Sequence, residues 1–329
     1  MPRGVAKDAR IVNGRDTEMR KQPALWLAVV AAVLLTGCEI DPSDWGDSTR
    51  YREEFTYSYK LTAGGRVSLE SFNGGAEIIG WDRDMVEVTG SKYAARRDVM
   101  EQIKIDAISE PGYLRVRAIK PIERNCNCGA KFILRVPRKV VIERLETSNG
   151  ALRAENIDGG ARMRTSNGSV KLWRVNGDVE ATTSNGTIEV SEYSGAARLK
   201  TSNGRVKGDG IRGSFSADTS NGSIDVTIAE LDAGRALNLG SSNGTVTLAV
   251  EKYNGNPITV HTSNSSINVR LPEGVNADVR ASTSNGSISS DFDVVTRTSS
   301  KNRMDGRLGN GGALLDLTTS NGTVRLLRR

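Results

Sequence analysis

The most reactive side chains of this 329-residue chain are few and far apart. Cys126 and Cys128 form a Cys-x-Cys pair in the stretch NCNCG, and His261 is the single histidine. A tetrahedral metal site needs four ligands, and no cysteine or carboxylate cluster at a suitable spacing completes one. In an oxidising compartment the pair could close a small disulfide loop or stay free in a turn. We therefore predict no catalytic, cofactor-binding or metal-binding residue, place His261 at a surface or turn position, and leave the cysteine redox state open.

A third cysteine, Cys38, ends a segment with the pattern of a bacterial lipoprotein signal. Arg20 and Lys21 precede an apolar run of 12 residues, Ala24 to Leu35. This run is too short to span a bilayer, which takes about 20 residues. It leads into Leu35-Thr36-Gly37-Cys38, in which small residues admit the signal peptidase and the cysteine thiol receives a lipid. The pattern predicts lipidation at Cys38.

The same segment sets the predicted domain organisation at the start of the chain. We predict a signal peptide over residues 1–37, with Met19 as the true start. We interpret residues 38–54, which are mostly polar and acidic, as the lipidated cysteine followed by a flexible tether. Glu39 stands where enteric lipoproteins retained at the inner membrane carry Asp. We therefore expect a lipid-anchored protein of the bacterial cell envelope, in the outer membrane, with the periplasmic or surface face left open.

Downstream, a Thr/Ser-Ser-Asn motif recurs at regular intervals, usually followed by Gly. Successive motif asparagines are 18, 18, 18, 18, 22, 21, 21 and 36 residues apart. The last interval is twice 18, so we expect one coil there whose turn has lost the motif, near the stretch SSKNRMDG. The motif asparagines are Asn149, Asn167, Asn185, Asn203, Asn221, Asn243, Asn264, Asn285 and Asn321.

Between the motifs, apolar residues alternate with polar ones as in half-buried strands. Two and four residues after a motif glycine stand pairs such as Val170/Leu172 and Ile188/Val190, which therefore share one face. Weaker glycine turns follow nine residues after the motif glycines. The unit is thus two strands and two turns, and its polar positions place Arg162, Glu180 and Arg198 in one column of alternating charge.

Two architectures fit these units, an antiparallel meander and a parallel β-solenoid in which each unit is one coil. Asn-Gly is a strong hairpin signal, but a meander would need about twenty strands, and open sheets rarely exceed about ten. In a solenoid each turn lies on its copy in the next coil, about 4.8 Å away. Stacked asparagines can then hydrogen-bond along the column, and the glycine would supply a positive φ. We predict an all-β, single-chain parallel β-solenoid (β-helix) with 18–22-residue coils and Thr-Ser-Asn-Gly turn ladders.

The predicted array of regular coils covers residues 147–329, and a less regular β-rich part, residues 55–146, precedes it. That part contains a diverged turn, Ser71-Phe72-Asn73-Gly74, where loss of the asparagine should cost less than in the array. We interpret residues 55–146 as wider coils that cap one end, because an open solenoid end exposes unpaired strand edges. At the other end the stretch TVRLLRR offers no evident cap beyond Arg328 and Arg329.

The motif array, together with Gly80-Trp81-Asp82 and Val86-Glu87-Val88, resembles the bacterial putative-adhesin family of β-solenoid domains, a domain of unknown function. The similarity covers most of residues 55–329. The resemblance implies a single-chain β-helix in the cell envelope. It also implies relatives that occur as envelope lipoproteins or beside envelope-stress regulators, and it brings no catalytic or binding residue with it.

Other repeated side chains have simple structural interpretations. Thr165, Thr183, Thr201 and Thr219 form a column of the kind found on ice-binding surfaces, but they are in phase with the inward pairs, so we expect them in the interior or at a corner. Trp173 falls on the outward, polar phase and is the one candidate for a surface contact with a ligand.

Composition narrows the possible functions further. The chain has 45 Lys and Arg against 39 Asp and Glu, a formal net charge of +6. The first 37 residues contain six of these cations and three of the anions, so about half of the excess leaves with the signal peptide. We therefore expect no nucleic-acid partner.

We predict a non-enzymatic adhesion or interaction module, with the membrane as partner through its lipid and an unknown protein or polysaccharide as ligand. The alternatives are a periplasmic envelope-stress sensor or scaffold and, less favoured because no acidic cluster is evident, a β-helix enzyme acting on polysaccharide.

Overall fold

A computed structural model of the chain describes residues 51–123 and 126–329. The predicted signal peptide, the lipidation site Cys38 and most of the tether lie outside the described residues. Residues 51–54, predicted as the end of the tether, belong instead to a strand, because they pair in register with residues 91–94. In the part of the chain that the structure describes, no helix has the length and apolar character needed to cross a membrane.

The N-terminal part contains seven strands and the one helix of the described residues. Its elements are β1 (Tyr51–Lys60), β2 (Arg66–Glu70), β3 (Ala76–Trp81), β4 (Met85–Ala94), α1 (Arg97–Gln102), β5 (Lys104–Glu110), β6 (Tyr113–Ile119) and β7 (Cys128–Pro137).

The middle of the chain is a succession of strands separated by the motif turns. They are β8 (Val141–Asn149), β9 (Leu152–Asp158), β10 (Ala161–Asn167), β11 (Val170–Asn176), β12 (Val179–Thr182), β13 (Ile188–Thr201), β14 (Val206–Thr219), β15 (Ile224–Leu231), β16 (Leu237–Ser241), β17 (Val246–Lys252), β18 (Ile258–His261) and β19 (Ile267–Leu271).

Six further strands complete the chain: β20 (Ala277–Thr283), β21 (Ile288–Ser290), β22 (Val294–Ser300), β23 (Arg303–Leu308), β24 (Leu314–Thr319) and β25 (Val324–Arg328). All 25 strands are linked into one hydrogen-bonded network. The prediction of an all-β, repeat-built fold is confirmed.

Strands of the middle part pair in parallel with their counterparts one unit later. Val170 of β11 lies beside Leu152 of β9 on one side and Ile188 of β13 on the other, each 18 residues away. The same 18-residue shift relates β13 to β14 over thirteen consecutive or near-consecutive positions. The two strands of each unit therefore stack on those of the next unit, which is the arrangement that one coil per unit requires.

The core lies between the two strand layers of each unit. Val170, Leu172, Ile188 and Val190 are almost completely buried, as their alternating positions predict. The threonine column is also buried, at 2–6% exposure for Thr165, Thr183, Thr201 and Thr219. Each of these hydroxyls donates to the motif-glycine carbonyl of the preceding unit, as Thr183 does to Gly168 at 2.9 Å. The prediction that these threonines face inward is confirmed, and their hydroxyls are satisfied there.

The motif turns contact one another through side chains and backbone. Asn185 Nδ2 donates to Asn167 Oδ1 at 2.7 Å, and Asn203 Nδ2 donates to Asn185 Oδ1 at 2.7 Å. The role of the motif glycine differs from the prediction, because its φ is not positive. A Cβ on Gly186 would lie 1.8 Å from the carbonyl oxygen of Gly168. Glycine is favoured because the backbones of stacked turns approach closely, and Ser265 takes the equivalent position in one turn only.

At the N-terminal end the coils are not stacked in chain order. The coil made of β2 and β3 lies between the coil of β8 and β9 and a later coil made of β6 and β7. Strands β5 and β4 then add antiparallel to β6 and β7, and β1 adds to β4. The first coil in the sequence is therefore an interior coil, covered by residues that follow it.

The C-terminal end has the same inversion, which corrects two predictions. Strand β24 lies between β18 and β20, and β25 lies between β19 and β21, so the last coil is not an outer coil. The stretch SSKNRMDG is not a coil with a lost turn, since it forms the turn region of an antiparallel hairpin, β22–β23, that pairs with β20. Arg328 and Arg329 do not guard an open end, because β25 has a parallel neighbour on each side.

Candidate interaction surface

The outward side chains of the stack form two faces. The first face carries the outward residues of β6, β2, β8, β10, β12, the second half of β13 and of β14, and β16. The second face carries those of β7, β3, β9, β11, the first half of β13 and of β14, β15 and β17. Because inward positions are taken by the apolar core, polar chemistry is confined to these faces and the turns.

A groove with a volume of about 1050 Å³ runs across the first face. Its lining comes from eight strands that are far apart in sequence, β2, β6, β8, β10, β12, β13, β14 and β16. The groove thus spans the N-terminal cap and the regular coils. Cap residues Ser68 and Arg115 line it together with Glu180, Ser216 and Asn238 of the regular coils.

Two ion pairs join charged side chains that line the groove. Arg162 Nε donates to Glu180 Oε2 at 3.1 Å, as expected for neighbours in one column. Across the cap boundary, Arg144 of β8 contacts Glu70 of β2 at 3.7 Å. Arg198 lies beside Glu180 in the same register, which confirms the predicted column of alternating charge. The pairs are exposed, so they organise the surface more than they stabilise the fold.

Uncharged polar residues follow the ion pairs along the same column. Ser216 lies beside Asn238 in the next coil, and Asn238 lies beside Thr259. The groove therefore changes from alternating charges to small hydrogen-bonding groups. This composition suits a ligand with many hydroxyl, amide or carboxylate groups.

On the second face, Trp173 contacts Arg174, the next residue in its own strand, and Glu192 of the following coil. Its indole Nε1 donates to Glu192 Oε1 at 3.0 Å, and the guanidinium carbon of Arg174 lies 4.2 Å from the Trp173 ring centroid. Arg174 Nε also donates to Glu192 Oε2 at 2.8 Å. The hydrogen bond from Arg174 is the main cause that lowers the pKa of Glu192, and the bond from Trp173 adds to it. One ring face of Trp173 is thus already covered by Arg174.

The corner beside Trp173 has an unusual backbone. Arg174 and Glu192 have φ angles of 52° and 50°, and Asn156 one coil earlier has 56°. The equivalent position of the next coil is Gly210, with φ of 62°. This column of left-handed residues bends each coil and projects the side chains of Arg174 and Glu192 toward each other. The sequence pattern alone did not indicate it, because three of the four residues are not glycine.

Tyr193 is a further residue that sequence reasoning missed. It is buried at 1% exposure and its hydroxyl donates to the Gly177 carbonyl oxygen at 2.7 Å. Burial raises the pKa of Tyr193, and the charge of nearby Asp178 raises it further. The alternation in the sequence stops at the corner, so its phase could not assign this side chain to the core.

His261 and the cysteine pair Cys126 and Cys128 lie in parts of the fold that are not neighbours. His261 is exposed on β18, beside Gly240 and Thr318 in register. Cys126 and Cys128 are placed as a disulfide bond, which is one of the two states that the sequence left open. Over residues 51–123 and 126–329, no group of three or more His, Cys, Asp and Glu is placed to hold a metal ion.

Comparison with known proteins gives a family match over most of the chain. The family model described as Toastrack DUF4097 matches residues 86–327. A solved structure described as a putative adhesin from Parabacteroides merdae ATCC 43184 is 12% identical, with 84% of this chain and 96% of that chain covered and a TM-score of 0.38. Another putative adhesin, from Bacteroides fragilis NCTC 9343, is 11% identical over 84% of this chain and 97% of that chain, with a TM-score of 0.33.

A third solved structure, described as a putative lipid binding protein from Parabacteroides distasonis ATCC 8503, is 9% identical over 83% of this chain and 96% of that chain, with a TM-score of 0.23. No curated protein matches the sequence at a significant level.

Proposed function

Because the chain belongs to the Toastrack DUF4097 family, we propose that it is a non-catalytic interaction module of the bacterial cell envelope, held by a lipid on Cys38 and located in the outer membrane. The Leu35-Thr36-Gly37-Cys38 sequence supports the lipid anchor. The repeat architecture supports the binding role, because a stack of coils offers a long, pre-formed surface at little conformational cost.

We infer that the coils form one parallel β-solenoid and that the motif asparagines act as a turn ladder along it. The 18-residue register between neighbouring strands supports the solenoid. The side-chain hydrogen bonds between Asn149, Asn167, Asn185 and Asn203, at 2.7 Å each, support the ladder. Repeated identical contacts of this kind favour a straight and rigid stack, which keeps the outward columns in fixed register.

The groove across the first face is the observation that carries the binding proposal. Its length over eight strands and its polar lining fit an extended polymer, either a polysaccharide strand or a polypeptide segment, bound through many weak contacts. The charge balance of the groove opposes nucleic acid as the ligand, because its four arginines are matched by four carboxylates, Glu70, Glu143, Asp178 and Glu180, which would repel phosphates.

Two experiments test this proposal. Cys38→Ser should move the protein from the membrane fraction to the soluble fraction, and unchanged detergent partitioning would contradict the lipid anchor. Protease treatment of intact cells should degrade the protein if it is a surface adhesin. Protection of the protein in intact cells would favour a periplasmic sensor or scaffold instead.

The binding surface is tested by paired substitutions on the two faces. Arg198→Ala combined with Asn238→Ala should weaken attachment of the purified protein to envelope glycans or whole cells. Lys171→Ala combined with Thr247→Ala is the matched control on the second face, outside the groove. Equal loss in both variants, or no loss in the groove variant, would contradict the assignment of the groove.

A further inference from the structure

The last coil of the chain occupies a slot formed by two coils that precede it in sequence. Leu315 of β24 lies between Ile258 of β18 and Val279 of β20. Val324 of β25 lies between Ile267 of β19 and Ile288 of β21. Without this coil, the two flanking coils would face each other across a gap one coil wide. We call this gap the final-coil slot.

The hydrogen-bonding groups of the final-coil slot match the Thr-Ser-Asn-Gly turn that fills it. Asn321 Nδ2 donates to Asn264 Oδ1, and its Oδ1 accepts from Asn285 Nδ2, each at 2.8 Å. Thr319 Oγ1 donates to the Ser265 carbonyl at 2.8 Å, and Thr283 Oγ1 donates to the Gly322 carbonyl at 2.9 Å. The coils on both sides of the slot therefore form hydrogen bonds with the Thr-Ser-Asn-Gly turn of the last coil.

The apolar part of the last coil adds most of the binding free energy. Leu315, Leu317 and Val324 are at 0% exposure and Leu326 at 2%. These side chains contact the core on both sides, so the coil is held as firmly as an interior coil of the array. Any segment with the same alternation and turn would find the same contacts.

A glycine-rich connection joins the last coil to the strand before it. Gly309, Gly311 and Gly312 have φ angles of 52°, 78° and 152°, and this segment passes over the start of β20, where Asn310 N donates to Asn276 Oδ1 at 2.8 Å. The connection carries the chain from β23, on one side of β20, to β24 on the other side. Such a segment can open without breaking a regular strand.

We propose that the final-coil slot is a binding site for the last coil of a second copy of this chain, so that two copies form a dimer by exchanging residues 314–328. Exchange replaces every contact of the last coil by an identical one. The free energies of dimer and monomer therefore differ only through the conformation of the connection and the translational freedom lost on association. The proposal goes beyond the proposed function and does not depend on it.

The exchange would join two copies at their C-terminal caps. In each copy the slot lies near the end of the stack that carries β22 and β23, whereas β1, which follows residue 50, lies at the opposite end. A dimer of this kind places the two N-terminal ends far apart. It would therefore link copies through the ends that are remote from residue 51.

Mixed cross-linking tests the exchange directly. One copy carries Thr259→Cys and the other carries Asp316→Cys, both in a Cys38→Ser background. Thr259 on the wall of the slot and Asp316 in the last coil are neighbours in register, at a spacing that a disulfide can bridge. The two variants are refolded together at high concentration and oxidised. We expect a covalent heterodimer, because the last coil of one copy lies in the slot of the other.

The matched control uses neighbouring coils that are not exchanged. Lys171→Cys on one copy and Glu189→Cys on the other are also neighbours in register, but between interior coils. This pair should give no heterodimer, whereas a single chain that carries both Thr259→Cys and Asp316→Cys should close an internal disulfide. If the single chain closes its disulfide but the mixed slot pair gives no more heterodimer than the control pair, the proposal is wrong.

Changing the length of the connection provides a second test. Deletion of Gly311 and Gly312 should prevent the last coil from reaching its own slot, so the shortened protein should be almost entirely dimer in light scattering. Insertion of a flexible glycine-serine segment after Gly312 should shift the protein toward monomer. A shortened variant that stays monomeric and fully folded would overturn the proposal.

Discussion

The regular coils and the two capped ends are built from the same strands, but they differ in stacking order. In the middle of the stack, coil order follows chain order, as in the succession of β9, β11 and β13. At each end, one coil is inserted between two coils that follow one another in the sequence. The repeat therefore determines how one coil contacts another, whereas the connections between coils determine which coils are neighbours. Removing coils from the two regions should therefore have very different effects.

The largest effect is expected from truncation after Gly312, which removes an interior coil at the C-terminal end. Four aliphatic side chains, Leu315, Leu317, Val324 and Leu326, would no longer be buried. Their burial is worth roughly 6–12 kcal/mol, comparable with the total stability of a domain. We expect residues from β18 onward to become sensitive to limited proteolysis. A truncated protein as resistant as the full chain would show that the slot closes on itself.

Deletion of Gly186 to Asn203 removes one regular coil and rejoins Asn185 to Gly204 in phase. Because each coil contacts chiefly its neighbours, the shortened protein should fold with a smaller loss of stability than the truncation. Thermal unfolding followed by circular dichroism measures the difference.

A nine-residue deletion, Gly186 to Ser194, is the control for the coil deletion. It leaves the strand alternation but stacks a motif turn on a half-coil turn, so it should fail to fold. An equal loss of folded structure in the 18-residue and the nine-residue deletion variants would contradict the arrangement of one coil per unit.

Single asparagine substitutions compare the middle with the N-terminal cap. Asn185→Ala removes one donated and one accepted hydrogen bond and should cost about 1–3 kcal/mol at 0.5–1.5 kcal/mol each. Asn73 also makes two, to the Cys128 carbonyl at 3.0 Å and from Asn149 at 2.6 Å, and its side chain is less exposed than that of Asn185. The sequence-based expectation of a smaller effect at Asn73 is therefore reversed. Denaturant melts of Asn73→Ala should show a loss at least equal to that of Asn185→Ala.

The smallest predicted effect concerns alkaline pH and Tyr253, in the loop after β17. Burial raises the pKa of Tyr253 from 10.0 to about 12, and its hydroxyl donates to the Asn256 carbonyl at 3.0 Å. The neutral phenol is thus favoured in the folded state, so its contribution is complete below pH 10 and is lost as the pH rises toward about 12. Tyr253→Phe should flatten the fall in stability over that range. An unchanged slope of melting temperature against pH would contradict this assignment.

Much of the middle region could be predicted because its signal is local. Alternation at Val170/Leu172 and Ile188/Val190 fixed which side chains are buried, and the interval of 18 residues fixed which strands are neighbours. The column of Arg162, Glu180 and Arg198 followed from the same spacing. Each of these features depends only on residues within one or two units.

The order of coils at the ends could not be predicted, because the turn around Asn321 has the same Thr-Ser-Asn-Gly sequence as most other motif turns. Nothing in the residues of this turn indicates whether Asn321 forms a hydrogen bond with Asn285, with Asn264 or with both. The candidate groove was only partly predictable for the same reason. Ser68 and Arg115 enter it through the inverted order of β2 and β6, which reflects tertiary pairing and not local pattern.

The inverted position of the last coil also has a consequence for synthesis of the protein. Chains emerge from the ribosome from their N-terminus, at about 5–20 residues per second. The regular coils can stack as they emerge, but the coils on either side of residues 314–328 cannot reach their final contacts until that segment is made. An incomplete chain would thus lack an interior layer and expose apolar surface on both sides of it. The topology makes completion of the sequence a condition for escaping the proteases and chaperones that act on exposed cores.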